Sequence, residues 1–334
     1  MEEGQHRVGV VAELPQVLRD LGAEPAKVLP PVGIDPVVLR NPENQISLVE
    51  LGRLFQACVS ATGCHHLGLL VGMRATIDHL GLVGRLMQNA PTFGEAILDL
   101  VTNQQRYICG AVTYLAIQNQ TPFWGYAVHH PEVPNTEQIS DGAVAVGFRL
   151  MQQLVGVSPS EVLFARSRPD DIGPYTHLFG VPTRFNAEQH ALVFPKTLLD
   201  RPVRGANPKV RQILEKTVTE YWAIRQPTAA ERVGRILRAR VVFGDVSLEQ
   251  VAAHLSVHPR TLKRQLQAEG ASFRSLLNQS RFQVARQLLA GTRIEVTDIA
   301  LALGYGELSG FTHAFRRWSG TAPSEWRSTL RGPD

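Results

Sequence analysis

Cysteine is scarce in this chain of 334 residues: only Cys58, Cys64 and Cys109 occur. Their odd number and unpaired spacing argue against a disulfide framework and against a four-thiolate zinc site. Long apolar runs are also missing. No stretch reaches the roughly 18 to 20 residues a membrane span needs. The opening Met1-Glu2-Glu3-Gly4-Gln5-His6-Arg7 is acidic and polar where a secretion signal would be basic and then apolar. The expectation is a cytoplasmic protein with no membrane partner. Charged residues make up 19% and hydrophobic residues 44%, which excludes a disordered or collagen-like chain. At this length such a composition fills a sizeable core and points to two domains.

The net charge is only +4, but it is unevenly spread. Residues 225–334 hold 16 Lys and Arg against 9 Asp and Glu, while the rest of the chain holds 18 against 21. A basic final third on a slightly acidic larger part suggests a module facing a polyanion, joined to one with another task. In the larger part, Ser47-Leu48-Val49-Glu50 has the form of a capping box and opens a helix over 47–61, ended by Gly63. A second amphipathic helix is expected over 92–107. The period then changes: 111–118 and 122–129, rich in Val, Tyr, Ile, Phe and Trp and separated by Asn119-Gln120-Thr121, read as a β-hairpin. A helix over 136–155 and strands at 162–165 and 191–194 follow. The elements cluster without strict alternation, so an α+β N-terminal domain is favoured over a doubly wound sheet. Pro, Arg, Gly and Asn at 202–208 mark a boundary, beyond which the chain reads as helical.

Ser247 caps a short helix whose inward residues are Leu248, Val251, Ala252 and Leu255, and a second helix opens at His258-Pro259. This is helix-turn-helix spacing. In the second helix Leu262 and Leu266 point inward, while Arg260, Thr261, Lys263, Arg264 and Gln267 take the other faces as donors for a major groove. The pattern recurs about fifty residues on: a helix over 296–303, the turn Gly304-Tyr305-Gly306, and a helix over 307–318. There Glu307, Ser309, Thr312, His313, Arg316 and Arg317 face outward. One long helix over 273–289 joins the two units and would hold the recognition helices about one DNA turn, ~34 Å, apart.

These residues resemble the AraC/XylS transcription regulators. The resemblance rests on Pro259-Arg260-Thr261-Leu262-Lys263-Arg264-Gln265-Leu266, Glu269-Gly270-Ala271-Ser272-Phe273, Gly304-Tyr305, Phe311, Phe315-Arg316-Arg317-Trp318, Gly320 and Pro323-Ser324-Glu325-Trp326-Arg327. The larger part resembles one subgroup's arabinose-binding-type regulatory domain through Leu80-Gly81-Leu82-Val83-Gly84, 91–96, Pro174-Tyr175, Phe179-Gly180-Val181-Pro182 and Phe194-Pro195. The resemblance implies an all-α C-terminal domain with two helix-turn-helix motifs, joined to an effector-sensing α+β domain. The expected division is a regulatory domain at 1–205, a linker helix region at 206–228 and a DNA-binding domain at 229–334. The chain departs from the family in two places: Ser256 and His258 stand where Gly and a capping Ser are usual, and His313 stands where Arg is usual.

The implied function is sequence-specific DNA binding at a promoter operator, as an activator and not an enzyme. RNA polymerase and a second copy of the chain stand open as further partners. A small-molecule effector would be sought in an apolar cavity between the hairpin and the helices at 80–107, with Tyr107, Tyr114, Trp124 and Tyr126 around it and Arg106, His129 or Arg149 as polar anchors. Two other readings of residues 1–205 stay open: a self-association module without ligand, and an enzyme-like domain using Cys109. Cys109 sits between a helix and a hairpin and reads more simply as structural. Arg281, Arg286 and Arg293 read as phosphate contacts or as solubilising charge. Cys64-His65-His66 and His129-His130 lack a third ligand at useful spacing, so neither metal nor cofactor is expected. Gly304, Gly306 and Gly310 miss the dinucleotide fingerprint and lie between helices, as a turn would.

Overall fold

The computed structural model describes residues 5–104, 110–118, 120–130, 132–221, 228–241, 246–255 and 257–331. At the N-terminus β1 (Gln5–Arg7) pairs antiparallel with β2 (Gln45–Ser47), and α1 (Leu14–Asp20) and the short α2 (Pro25–Val28) lie between them in the chain. Next comes α3 (Leu48–Thr62), opened by the expected capping box: Glu50 N donates to Ser47 Oγ at 3.0 Å and Ser47 N to Glu50 Oε2 at 2.6 Å. Leu51, Leu54, Phe55 and Cys58 form its buried stripe. Then follow α4 (Leu67–Gly72), α5 (Gly81–Gln88) and α6 (Phe93–Asn103). The long α7 (Thr136–Val155) crosses α4 at backbone contact distance. A Cβ added at Gly68 would fall 2.0 Å from the Gln138 carbonyl oxygen, so only glycine fits this crossing.

The hairpin is β3 (Ala111–Gln118) and β4 (Thr121–Val128), with Gln118 opposite Thr121. The turn is therefore one residue tighter than the sequence suggests, and Gln120 takes φ 67° to make it. Three short strands, β5 (Glu161–Leu163), β6 (Thr183–Arg184) and β7 (His190–Val193), complete a five-stranded sheet in the order β3-β4-β7-β5-β6, with α8 (Gly173–Phe179) between β5 and β6 in the chain. Among the described residues only β5 and β6 pair in parallel. The helix expected over 92–107 is shorter in the described residues, where α6 stops at Asn103, and residues 105–109 lie outside them. Gln104 keeps helical dihedrals and its N–H still bonds to the Leu100 carbonyl, while its side chain reaches across to β3. Its side-chain amide donates to the Thr113 carbonyl at 2.6 Å and accepts from Thr113 N, which satisfies the open edge of β3.

Paired residues of an antiparallel sheet share a face. Leu115, Trp124 and Leu192 therefore point together into the core with α6 and α7. Val112, Tyr114 and Ala127 point the other way, and that outer face is covered by the C-terminal helices. After α9 (Pro208–Tyr221), which packs Leu214 and Val218 on Leu86 of α5, come α10 (Ala229–Arg240), α11 (Leu248–His254), α12 (Pro259–Ala268), α13 (Phe273–Gly291), α14 (Val296–Ala302), α15 (Leu308–Ser319) and α16 (Pro323–Arg331). Val284, Leu288, Ile299, Phe311 and Phe315 share one apolar core with the outer sheet residues. The close approach is at Gly291, where an added Cβ would lie 2.6 Å from Ala127 Cβ. Beside it Arg293 N donates to the Glu188 carbonyl at 2.7 Å, and Arg240 of α10 meets Glu95 of α6 at 3.2 Å.

Candidate nucleic-acid interface and cavity

Two helix-turn-helix units stand at the end of the chain furthest in sequence from the sheet. In the first, the Ser247–Gln250 capping box starts α11, Val251 and Ala252 are buried, and α12 follows with Pro259 at its first position. His258 takes the part of the usual serine: its Nδ1 accepts from Arg260 N at 3.2 Å, so the imidazole is the cap. Leu262 and Leu266 anchor α12. Arg260, Lys263, Arg264 and Gln267 stand exposed on it, and Thr261 is half-buried.

In the second unit the turn after α14 leads to α15, anchored by buried Phe311 and Phe315. Glu307 is its N-cap residue and accepts from Ser309 Oγ at 3.2 Å. Ser309, His313, Arg316 and Arg317 are exposed, and Thr312 is half-buried. Among the described residues no carboxylate pairs with Arg260, Lys263, Arg264, Arg316 or Arg317. Cations left unpaired on the outer face of a short helix are available to phosphates and base edges. Leu308, 40% exposed in the first turn of α15, is a residue the sequence reading passed over. Arg281 and Arg286 are partly engaged elsewhere: their guanidinium groups lie 5.0 Å from the Tyr305 ring centre and 5.1 Å from that of Trp326.

The larger part holds a cavity of about 160 Å³ between the inner face of the sheet, α7 and the N-terminal segment. Trp124 and Tyr126 line it, with Leu80, Val83, Leu100 and Gln104 from the helical side. Tyr114, His129 and Arg149 do not. Tyr114 lies on the outer face, where its hydroxyl donates to Gln189 Oε1 at 2.8 Å. Arg149 donates to Gln152 Oε1 at 3.0 Å. His129 follows the end of β4, and burial together with the neighbouring His130 lowers its pKa. Arg106, Tyr107 and Cys109 lie outside the described residues. The wall also takes in His6, Arg7, Thr76, His79 and Thr113, brought together from segments too far apart in sequence for periodicity to connect.

Beyond the cavity, Asp141 is fully buried on α7 and its Oδ2 accepts from Arg166 Nη1 and from the Tyr175 hydroxyl, both at 2.6 Å. Burial pushes this carboxyl up to about 6. Burial likewise holds the His190 imidazole down at about 4 and lifts the Cys58 thiol to about 12. Among the described residues no group of three His, Cys, Asp or Glu side chains is placed to hold a metal, and no helix is long and apolar enough to cross a membrane.

Comparison with known proteins matches residues 22–203 to the arabinose-binding domain of AraC transcription regulators, N-terminal, and residues 251–329 to a helix-turn-helix domain. The chain is 29% identical over 314 residues to the ornithine utilization regulator of Pseudomonas aeruginosa, covering 88% of each. It is 28% identical over 322 residues to the transcriptional regulator VirS of Mycobacterium tuberculosis, covering 93% of each. The crystal structure of the transcriptional regulator CdpR from Pseudomonas aeruginosa aligns over 95% of this chain and 97% of that one, at 23% identity and a TM-score of 0.48.

Proposed function

Since the chain belongs to the AraC family of DNA-binding transcription regulators, we propose that α12 and α15 are its two reading heads and that the cavity behind the sheet holds a small effector that governs them. The observation that carries the DNA reading is the pair of helices with open, unpaired cationic faces. Arg264 and its neighbours on α12 meet base edges at one half of the operator. On α15, Ser309, Thr312 and His313 face the bases while Arg316 and Arg317 meet phosphates. The reading extends to activation in the cytoplasm through contact with RNA polymerase, with residues 1–205 as the regulatory unit, 206–228 as the link and 229–334 as the DNA-binding unit.

The effector reading rests on the place of the cavity. Its wall is the inner face of the same two strands whose outer face carries α13 and α14, so an occupant pressing on Trp124 or Tyr126 presses on the support of the reading heads. The test is a gel-shift titration of the full chain on a duplex selected from a random pool. Affinity is expected to fall about 10³-fold or more between 50 and 200 mM salt if about six phosphates are contacted. Arg264→Ala should cost about 1 to 3 kcal/mol on the selected duplex and less on a scrambled one, whereas Arg316→Ala weakens both alike. Equal losses from Arg264→Ala on the two duplexes would remove the base-reading role.

A further inference from the structure

The wall of the cavity specifies the chemistry of what can enter it. At about 160 Å³ it is close in size to an apolar cavity of about 150 Å³ that stays dry and binds benzene. Leu51, Phe55, Val71, Val83, Trp124 and Leu150 make much of its surface. The polar side chains that reach it are few, and most of their hydrogen-bonding groups are committed to the protein; among the described residues His6 Nδ1 is left buried without a partner, room for one hydrogen bond to an occupant. Arg7 gives its guanidinium to both carboxylate oxygens of Glu43 and to the His79 carbonyl. His79 accepts from Thr76 N through Nδ1 at 3.0 Å, and its Nε2 lies 3.5 Å from Glu13. Gln104 spends both ends of its amide on the backbone of Thr113. Burial keeps the other titratable groups of the wall uncharged: His6 is held down at about 4 and the Tyr126 phenol is pushed up.

A sugar carries a hydroxyl on nearly every carbon, and each one buried here without a partner would oppose binding. An amino acid or carboxylate would need an unpaired countercharge, and Arg7, the cation in the wall, already has Glu43. We propose that the cavity binds a neutral molecule about the size of one aromatic ring, carrying at most one hydroxyl or N–H, and that it excludes sugars, amino acids and carboxylates. The inference rests on the reading of this cavity as the effector site.

Thermal unfolding of the full chain tests it, with phenol, toluene and indole as neutral probes and L-arabinose, L-ornithine and benzoate as polar and charged ones. Val146→Phe and Ala143→Leu, two independent substitutions of lining residues, fill the space. A ligand that binds only the folded state raises the melting temperature with concentration. The neutral probes should do so in the natural chain, by several degrees at millimolar concentration, and in neither filled variant; the other three should have no effect. If one filled variant fails to melt cooperatively, the other decides. Competition between toluene and 4-fluorophenol, followed by fluorine NMR on the natural chain, needs no variant. A shift from arabinose, ornithine or benzoate that the fillers abolish would overturn the inference while leaving the cavity as the effector site. Equal stabilisation of natural and filled chains by the neutral probes would place them elsewhere and overturn it. No shift from any probe would overturn both the inference and the effector reading.

Discussion

Two pairs of buried groups pull against each other when the medium is acidified. Asp99, bonded to Arg211 at 2.7 Å, and Asp141, bonded to Arg166 at 2.6 Å, are both raised by burial to about 6 in the folded chain. A carboxyl raised above its unfolded value adds stability that is full below about pH 4 and is lost as pH rises through about 6. His6 and His190, held near 4 by burial, do the reverse: their contribution is present above pH 6.5 and is lost as pH falls towards 4. The opposing slopes partly cancel in the natural chain. Asp99→Asn should therefore make the loss of stability on acidification from pH 6.5 to 4 steeper, and His190→Gln should make it shallower, as read from urea midpoints. Slopes that do not move in opposite directions would refute the balance. Asp141→Ala, which leaves Arg166 with only the half-exposed Glu137 as a countercharge and the Tyr175 hydroxyl as a neutral partner, should cost about 3 to 5 kcal/mol at pH 7. None of these pairings was legible in the sequence. Asp141 and Arg166 stand 25 positions apart, and nothing in the composition of α7 marks the helix face on which an aspartate is buried.

The helices that begin with a capping box and carry a regular apolar stripe, α3 and α11 among them, were legible from local chemistry, as was the hairpin with its aromatic and β-branched residues. The strands β1 and β6, of three and two residues, were not, because their only signal is a partner far along the chain. The end of the helix expected over 92–107 falls on residues outside the described ones, and the link from the Gln104 side chain to the edge of β3 had no local signal. In the first helix-turn-helix unit, His258 shows how a departure from a family pattern can keep a helix cap. His258→Ala removes the acceptor for Arg260 N and should cost about 1 kcal/mol of stability, while His258→Ser, which restores an ordinary cap, should cost little. At the start of α15, Leu308 is an exposed apolar side chain, and on the proposed DNA reading its counterpart is a thymine methyl. Replacing thymine by uracil in the half-site read by α15 should weaken the natural chain at one position and leave Leu308→Ala indifferent. A natural chain blind to that methyl would deny Leu308 its role.

At the scale of the molecule, the helical character of the residues beyond 208 could be read, but the docking of that helical part onto the sheet could not. Its one trace is β3, Ala-Val-Thr-Tyr-Leu-Ala-Ile-Gln, which is apolar on both faces as a strand covered from both sides must be. Which element covers the second face is a question of tertiary contact. Gly291→Val places a side chain where Ala127 already sits and should pry α13 from β4. Faster hydrogen exchange in 111–118 and 121–128, without loss of helix signal, is the expected result, and unchanged exchange there would show that the contact is incidental. The same two strands serve as floor to one compartment and ceiling to another, and reciprocity is the consequence. If an occupant of the cavity changes the affinity for DNA by some factor, DNA must change the affinity for the occupant by the same factor. A chain saturated with its duplex would then hold or release a ring in the cavity to a calculable degree, and the promoter would be a ligand of the sensor as surely as the sensor is a ligand of the promoter.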